Sequence, residues 1–265
     1  MTESKTPRGL HMQQEPRSGD RALPLSAEER AARLRLAACY RIFDLLGWTE
    51  GIFNHITLRV PGPETVFLIN PFGLHYSEVT ASNLVAVDIG GQPVRPSEYP
   101  INLAGYVTHS AIHGHVGLAH CVMHTHTTTG SAVACSAEGL SHNSFYGAQL
   151  SGRVAYHDFE GVTVNPDEQG RMLASIGENR VVILRNHGLL TWGETIDEAF
   201  MWLWILQRAC DIQVACAGLG KTRELPAQVL EQTRLEAAAQ QPSVCKAMFD
   251  ALVRRVDSID SSYRT

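Results

Sequence analysis

Apolar positions recur along this chain at two periods, and each predicts a different element. After Ser26-Ala27-Glu28-Glu29, a capping box in which the serine accepts an early helix amide and Glu29 reaches back, Leu34, Leu36, Ala38, Ile42, Phe43 and Leu46 fall at helical spacing. That helix stops near Gly47. Asn54 to Val60 alternates polar and apolar as a half-buried strand does. Pro61-Gly62-Pro63 turns the chain, Thr65 to Asn70 returns as a second strand, Asn70-Pro71-Phe72-Gly73 turns again, and Val79 to Val87 leads to a third strand before Gly90-Gly91. The first half therefore reads as antiparallel hairpins with one helix behind them, an α+β pattern without regular βαβ alternation.

In the second half, Ile101 to His113 reads as a helix. Val116 to Val122 reads as a buried strand running into Met123-His124-Thr125-His126-Thr127, and Thr128 to Ala137 as a helix of small residues. Val154-Ala155-Tyr156 leads through an acidic turn to a helix ending near Gly177. Val181 to Leu184 is a short continuous apolar run, as in a strand buried on both faces, and it ends in Arg185-Asn186-His187-Gly188. Thr195 with Glu198 caps the longest helix, Ile196 to about Ala217, whose apolar residues cover more than one face, as in a core or a subunit interface. Ala227 to about Val256 is helical but broken near Pro242. The expected architecture is a central mixed, largely antiparallel sheet flanked by helices. Residues 1–25 form a disordered leader with Pro7, Pro16 and Pro24, 26–220 a single metal-binding domain, and 221–265 a C-terminal helical extension.

Composition narrows the function. The 265 residues carry a net charge of −5 with no lysine or arginine run, which disfavours nucleic acid and acidic membrane surfaces as partners and leaves a small molecule. Six scattered cysteines form no CxxC pair, and no signal peptide or bilayer-length apolar stretch is present, so a reduced, cytoplasmic protein is expected.

Two histidines carry the candidate chemistry. Strand residues i and i+2 face the same way, so His124 and His126 can aim their imidazoles at one point, half of a metal site that needs further ligands from elsewhere. An isolated pair of this kind also arises on an ordinary polar sheet face. His187 sits at a strand end, with Gly188 beside it allowing close approach of backbone or ligand. His120 alternates in the same register, but it lies six residues from His126, roughly 20 Å along an extended strand, and is assigned a structural role. Glu98 precedes a helix and could act there simply as a charge near the positive end of the dipole.

Ser97-Glu98, His124-Thr125-His126 and Arg185-Asn186-His187-Gly188-Leu189 together resemble the class II aldolase/adducin family over roughly residues 28 to 220. Asn70-Pro71-Phe72-Gly73-Leu74, Tyr76-Ser77-Glu78-Val79-Thr80 and Tyr156-His157-Asp158 resemble its adducin-type branch. The resemblance implies one divalent metal ion per subunit (Zn, Mn or Fe(II)) on His124, His126 and His187. It implies Glu98 as a further ligand or acid/base, a homotetramer with sites at subunit interfaces, and Tyr146 as counterpart of an acid contributed across such an interface. Where sugar-phosphate members hold phosphate on small and hydroxyl-bearing residues, this chain has Phe53-Asn54-His55-Ile56, Phe72-Gly73 and Pro96-Ser97. An unphosphorylated, more apolar or aromatic substrate is the expectation, because a phosphate dianion without those donors loses its hydration uncompensated.

The leading expectation is a metal-dependent carbon–carbon lyase, an aldolase or decarboxylase, acting on a hydroxy-carbonyl or hydroxy-acid compound. A non-haem Fe(II) oxygenase that oxidatively decarboxylates an aromatic 2-oxo or 2-hydroxy acid, as in aminocoumarin pathways, is the alternative. A non-catalytic, adducin-like interaction domain is the third reading.

Overall fold

A computed structural model describes residues 25–62, 65–161 and 167–265, so the proposed leader lies almost wholly outside the described residues. Helix α1 (Ala27–Leu45) is followed by β1 (His55–Arg59), β2 (Phe67–Ile69), β3 (Val85–Val87), α2 (Leu103–His115), β4 (Cys121–Thr125), α3 (Thr128–Ala134) and α4 (Phe145–Gln149). Then come β5 (Val154–His157), α5 (Glu168–Ile176), β6 (Val181–Leu184), β7 (Gly188–Gly193), α6 (Ile196–Cys216) and α7 (Ala227–Ile259). The strands form one mixed sheet in the order β3-β2-β1-β4-β7-β6-β5, antiparallel throughout except for the parallel pair β5 and β6. Largely antiparallel order with helices on both faces is the architecture expected from the pattern.

Period-two alternation divides the sheet between two layers. Ile56, Leu58, Cys121, Met123, Val181 and Ile183 face α1, α6 and α7 in the larger core. Val122, Val182, Leu184, Leu190 and Trp192 face Ala111 and Ile112 of α2 and Met172 and Ile176 of α5. Burying each such large side chain contributes about 1.5–3 kcal/mol. On the first layer, Tyr40 of α1 ties β1 to the end of β2. Its hydroxyl donates to the Ile56 carbonyl at 2.6 Å and accepts the amides of Ile56 and Asn70, each at 3.1 Å.

Four local expectations are corrected. Ser26 does cap α1, accepting from the Glu29 amide, but the Glu29 carboxylate turns away to Arg33 and Arg95, because two guanidiniums outweigh one orphan amide. The strand before the two histidines begins only at Cys121; Gly117 and Leu118 form a turn, and Val116 closes α2 by donating to Ile112. Strand β7 was not anticipated, since Leu189-Leu190-Thr191-Trp192 between two glycines is too short for periodicity to distinguish. Helix α7 runs through position 242. Cys245, Phe249 and Val256 after it are buried in the main core, and that packing offsets the one hydrogen bond a proline removes.

On the α2 face a row of buried imidazoles runs toward the end of β4. The His113 Nδ1–H donates to the Ala119 carbonyl at 2.6 Å, so its Nε2 accepts from the Thr57 hydroxyl at 2.6 Å, and Thr57 in turn accepts from His109 Nδ1–H at 2.8 Å. Burial is the first cause that pushes His113 down to about 4 from an ordinary 6.5; the Ala119 hydrogen bond opposes it. Between those values the unfolded chain binds a proton that the native protein refuses. This contribution to stability is therefore complete above 6.5 and is lost as pH falls toward 4. Urea titrations should show stability falling on acidification from about pH 7 to about pH 4, with His113→Gln falling less by roughly 2–4 kcal/mol.

Candidate metal centre

His124, the penultimate residue of β4, pairs in register with His55 of β1 and Leu190 of β7. Its Nδ1–H donates to the Leu189 carbonyl at 2.8 Å, which leaves Nε2 bare with its lone pair outward. His126, just past the strand end, brings its Nε2 to 2.6 Å from that of His124. His187, in the turn between β6 and β7, brings its own to 3.2 Å from His124 and 2.9 Å from His126. Among the described residues these three form the group that could hold a metal ion, their ligand atoms lying within 4.8 Å of one another. Tetrahedral ligation at about 2.0–2.1 Å requires nitrogens roughly 3.3 Å apart, so a small outward movement of the rings would accommodate an ion.

The surrounding chain fixes each ring. Asn54 sits with φ of 65°, in the left-handed region that asparagine tolerates; its Oδ1 accepts the His126 amide at 3.1 Å and its Nδ2 donates to the Trp48 carbonyl at 3.2 Å. Asn186, with φ of 55°, starts the turn that carries His187, and the Ser131 hydroxyl of α3 donates to the His187 carbonyl at 3.1 Å. Gly188 permits the crossing: a Cβ there would collide with the Thr125 carbonyl and lie 3.0 Å from the His126 ring. From the strand end, the Thr127 hydroxyl donates to Gln207 at 2.6 Å and Thr129 to Asp211 at 2.5 Å, binding the turn after β4 to α6.

Burial keeps the three imidazoles uncharged, the state a ligand requires. Desolvation first, then the neighbouring rings of His126, His187 and His55, holds His124 well below its ordinary value. Desolvation lowers His126, and His187 is pushed down to about 4 by burial and then His126, with Glu168 opposing. His55, packed on His109 and His124 with ring centroids 4.2 and 5.4 Å apart, is held at about 3, chiefly by burial.

The other sequence candidates fall elsewhere. Glu98 is exposed in the irregular segment before α2 and does not join the histidine group, so the structure does not bring it to the site as a ligand. Tyr146 lies in α4, half-buried, with Phe145 at 5.2 Å and the Arg208 guanidinium 5.9 Å from its ring centre. His120 stands just before β4, and its Nδ1–H donates to the Glu194 carbonyl at 3.1 Å, a structural contact. Asn54 escaped sequence reasoning because nothing in Phe53-Asn54-His55 signals a left-handed residue.

Residues 34–214 match the Class II Aldolase and Adducin N-terminal domain, and with the fold and the histidine cluster at the end of its central strand the chain belongs to the class II aldolase/adducin family. It is similar to an aldolase II superfamily protein of Pseudomonas syringae, 42% identical over 91% of this chain and 98% of that one, with a TM-score of 0.88. L-fuculose 1-phosphate aldolase of Glaciozyma antarctica is 27% identical over 89% of this chain and 94% of its own, with a TM-score of 0.78. Rat alpha-adducin is 38% identical over 93% of this chain, a match that spans 35% of the adducin.

Asn54 is the contact most open to test. Asn54→Gly keeps the backbone conformation and removes two buried hydrogen bonds, so it should cost about 1–3 kcal/mol in urea unfolding; Asn54→Ala should cost more because it adds left-handed strain.

Proposed function

We propose that the protein is a divalent-metal-dependent carbon–carbon lyase, an aldolase or decarboxylase, acting on a small unphosphorylated hydroxy-carbonyl or hydroxy-acid compound. The observation that carries this reading is the meeting of three neutral Nε2 atoms at the end of β4, with the tautomer of His124 set by Leu189. A bare Nε2 on His124 with the Nε2 atoms of His126 and His187 within 3.2 Å of it is a donor set suited to a divalent cation. A divalent ion held there supplies a Lewis acid with open coordination positions. The chain's own part is to hold the ligands neutral, to orient them through Leu189, Asn54 and Ser131, and to shield one side of the site with the Phe159 ring, 6.1 Å from that of His187.

The absence of phosphate chemistry in the substrate is supported by the residues around Asn54. Phe53 is exposed, His55 is buried behind His124, and the side chain of Asn54 is spent on the backbone of Trp48 and His126, so this turn offers no free donors of its own side chains to a phosphate. No helix among the described residues is long and apolar enough to cross a membrane. A homotetramer would give Tyr146 its use in this reading, since within its own subunit it packs on Phe145 and Arg208.

Metal content by mass spectrometry on protein purified anaerobically should give close to one zinc, manganese or iron per chain. His124→Ala or His187→Ala should abolish it, and His120→Ala should leave it intact. Iron accompanied by oxygen uptake on adding aromatic 2-hydroxy acids would favour the oxygenase. Failure to bind any of the three metals would exclude both enzymes and leave the interaction domain.

A further inference from the structure

A small pocket, with room for about one water molecule, lies beside His187, and its lining contains a buried carboxylate that the sequence did not single out. Glu168, at the start of α5, and His157, at the end of β5, line it together with Phe159, Leu184, Arg185 and His187. Glu168 is 8% exposed and His157 6%, and His157 Nε2 stands 3.3 Å from Glu168 Oε1. The placement follows from the sheet: parallel pairing sets His157 opposite Leu184, and the Arg185 amide donates to the His157 carbonyl at 2.8 Å, so the pair lies beside the turn that carries His187.

The hydrogen bonds say how the pair is built. Ser175 Oγ–H donates to the Arg171 carbonyl at 2.9 Å, the back-bond usual for a helical serine, which leaves its oxygen to accept from His157 Nδ1–H at 3.2 Å. The facing Nε2 and Oε1 then require one proton between them, carried either as imidazolium and carboxylate or as imidazole and carboxylic acid. Both ring nitrogens of His157 are thereby engaged, and the carboxylate is the member able to exchange a proton with a molecule at the pocket.

Resting on the lyase reading above, we propose that Glu168 is the residue that takes up and returns the substrate proton beside the metal centre, and that His157, backed by Ser175, positions it. In the lyase direction the substrate hydroxyl gives its proton to Glu168, the C–C bond breaks, and its electron pair passes to the α-carbon of the departing fragment as an enolate. That carbon then takes one proton, restoring the carboxylate, and the hydroxyl-bearing carbon becomes a carbonyl. The step consumes no oxidant or reductant. The exposed Glu98 has no place in it.

The half-reaction can be read without knowing the physiological substrate. Zinc-loaded protein is mixed with hydroxyacetone or pyruvate in D2O, and loss of the proton signals is followed by NMR, with metal-free protein as the baseline. The wild type should exchange above that baseline. Glu168→Gln should keep its zinc and exchange at least tenfold more slowly, Glu168→Asp should recover part of the rate, and Glu98→Gln should exchange as the wild type does. In metal-free protein, long-range 1H–15N spectra should show a His157 Nε2 resonance that Glu168→Gln shifts. Wild-type exchange by zinc-loaded Glu168→Gln, or loss of zinc in that variant, would overturn the assignment of Glu168 alone. A zinc-loaded wild type that exchanges neither probe would overturn the lyase reading and the assignment with it.

Discussion

Three imidazole nitrogens meet at the end of β4, and that of His124, whose Nδ1–H is given to the Leu189 carbonyl, faces the other two with a bare lone pair. Contacts from three different parts of the chain hold the rings of His124, His126 and His187 around this point. The Leu189 carbonyl takes the only proton His124 has to offer, Asn54 holds the amide of His126, and Ser131 holds the carbonyl of His187. Each of those contacts joins a different element to the strand end. The order β1-β4-β7 at the centre of the sheet can therefore be read as the frame for one point in space. A cation at that point would accept a lone pair from each of the three rings at once, which is the physical reason for reading the cluster as a metal centre.

The same face of the sheet carries a second consequence. His55, Thr57, His109 and His113 fill the space between β1 and α2 with imidazole rather than aliphatic carbon, and burial holds these rings neutral. His55 packs edge to face against His124, and Gly105 of α2 leaves its ring the room it occupies; a Cβ there would meet the ring at 2.5 Å. Neutral, tightly packed rings next to the cluster keep water and counter-charges away, so the ligands face a low-dielectric wall on one side and the pocket with Glu168 on the other.

What could be seen in the sequence followed from local periods. The alternation of β4 made His124 and His126 co-facial, the apolar run of β6 placed His187 at a strand end, and Gly188 beside it marked a close crossing that the Thr125 carbonyl supplies. What could not be seen depended on contacts between distant residues. Glu29 looked like half of a capping box until Arg95, far along the chain, competed for it. Glu98 looked like a partner of the histidines because it lies upstream in a familiar order, yet an exposed position before α2 is where the fold leaves it. Glu168 carried no motif at all; only the parallel pairing of β5 with β6 brings it to His187, and parallel neighbours are the hardest to infer from a single strand's pattern.

The central claim is that the three Nε2 atoms share one ion. The most direct measurement is anomalous X-ray scattering from crystals of the anaerobically purified protein, collected on both sides of the zinc, manganese and iron absorption edges. The account predicts a single peak per chain, about 2.0–2.2 Å from the Nε2 atoms of His124, His126 and His187, at one of those edges. Crystals that show no anomalous peak there, even after equilibration with each metal in turn, would contradict it.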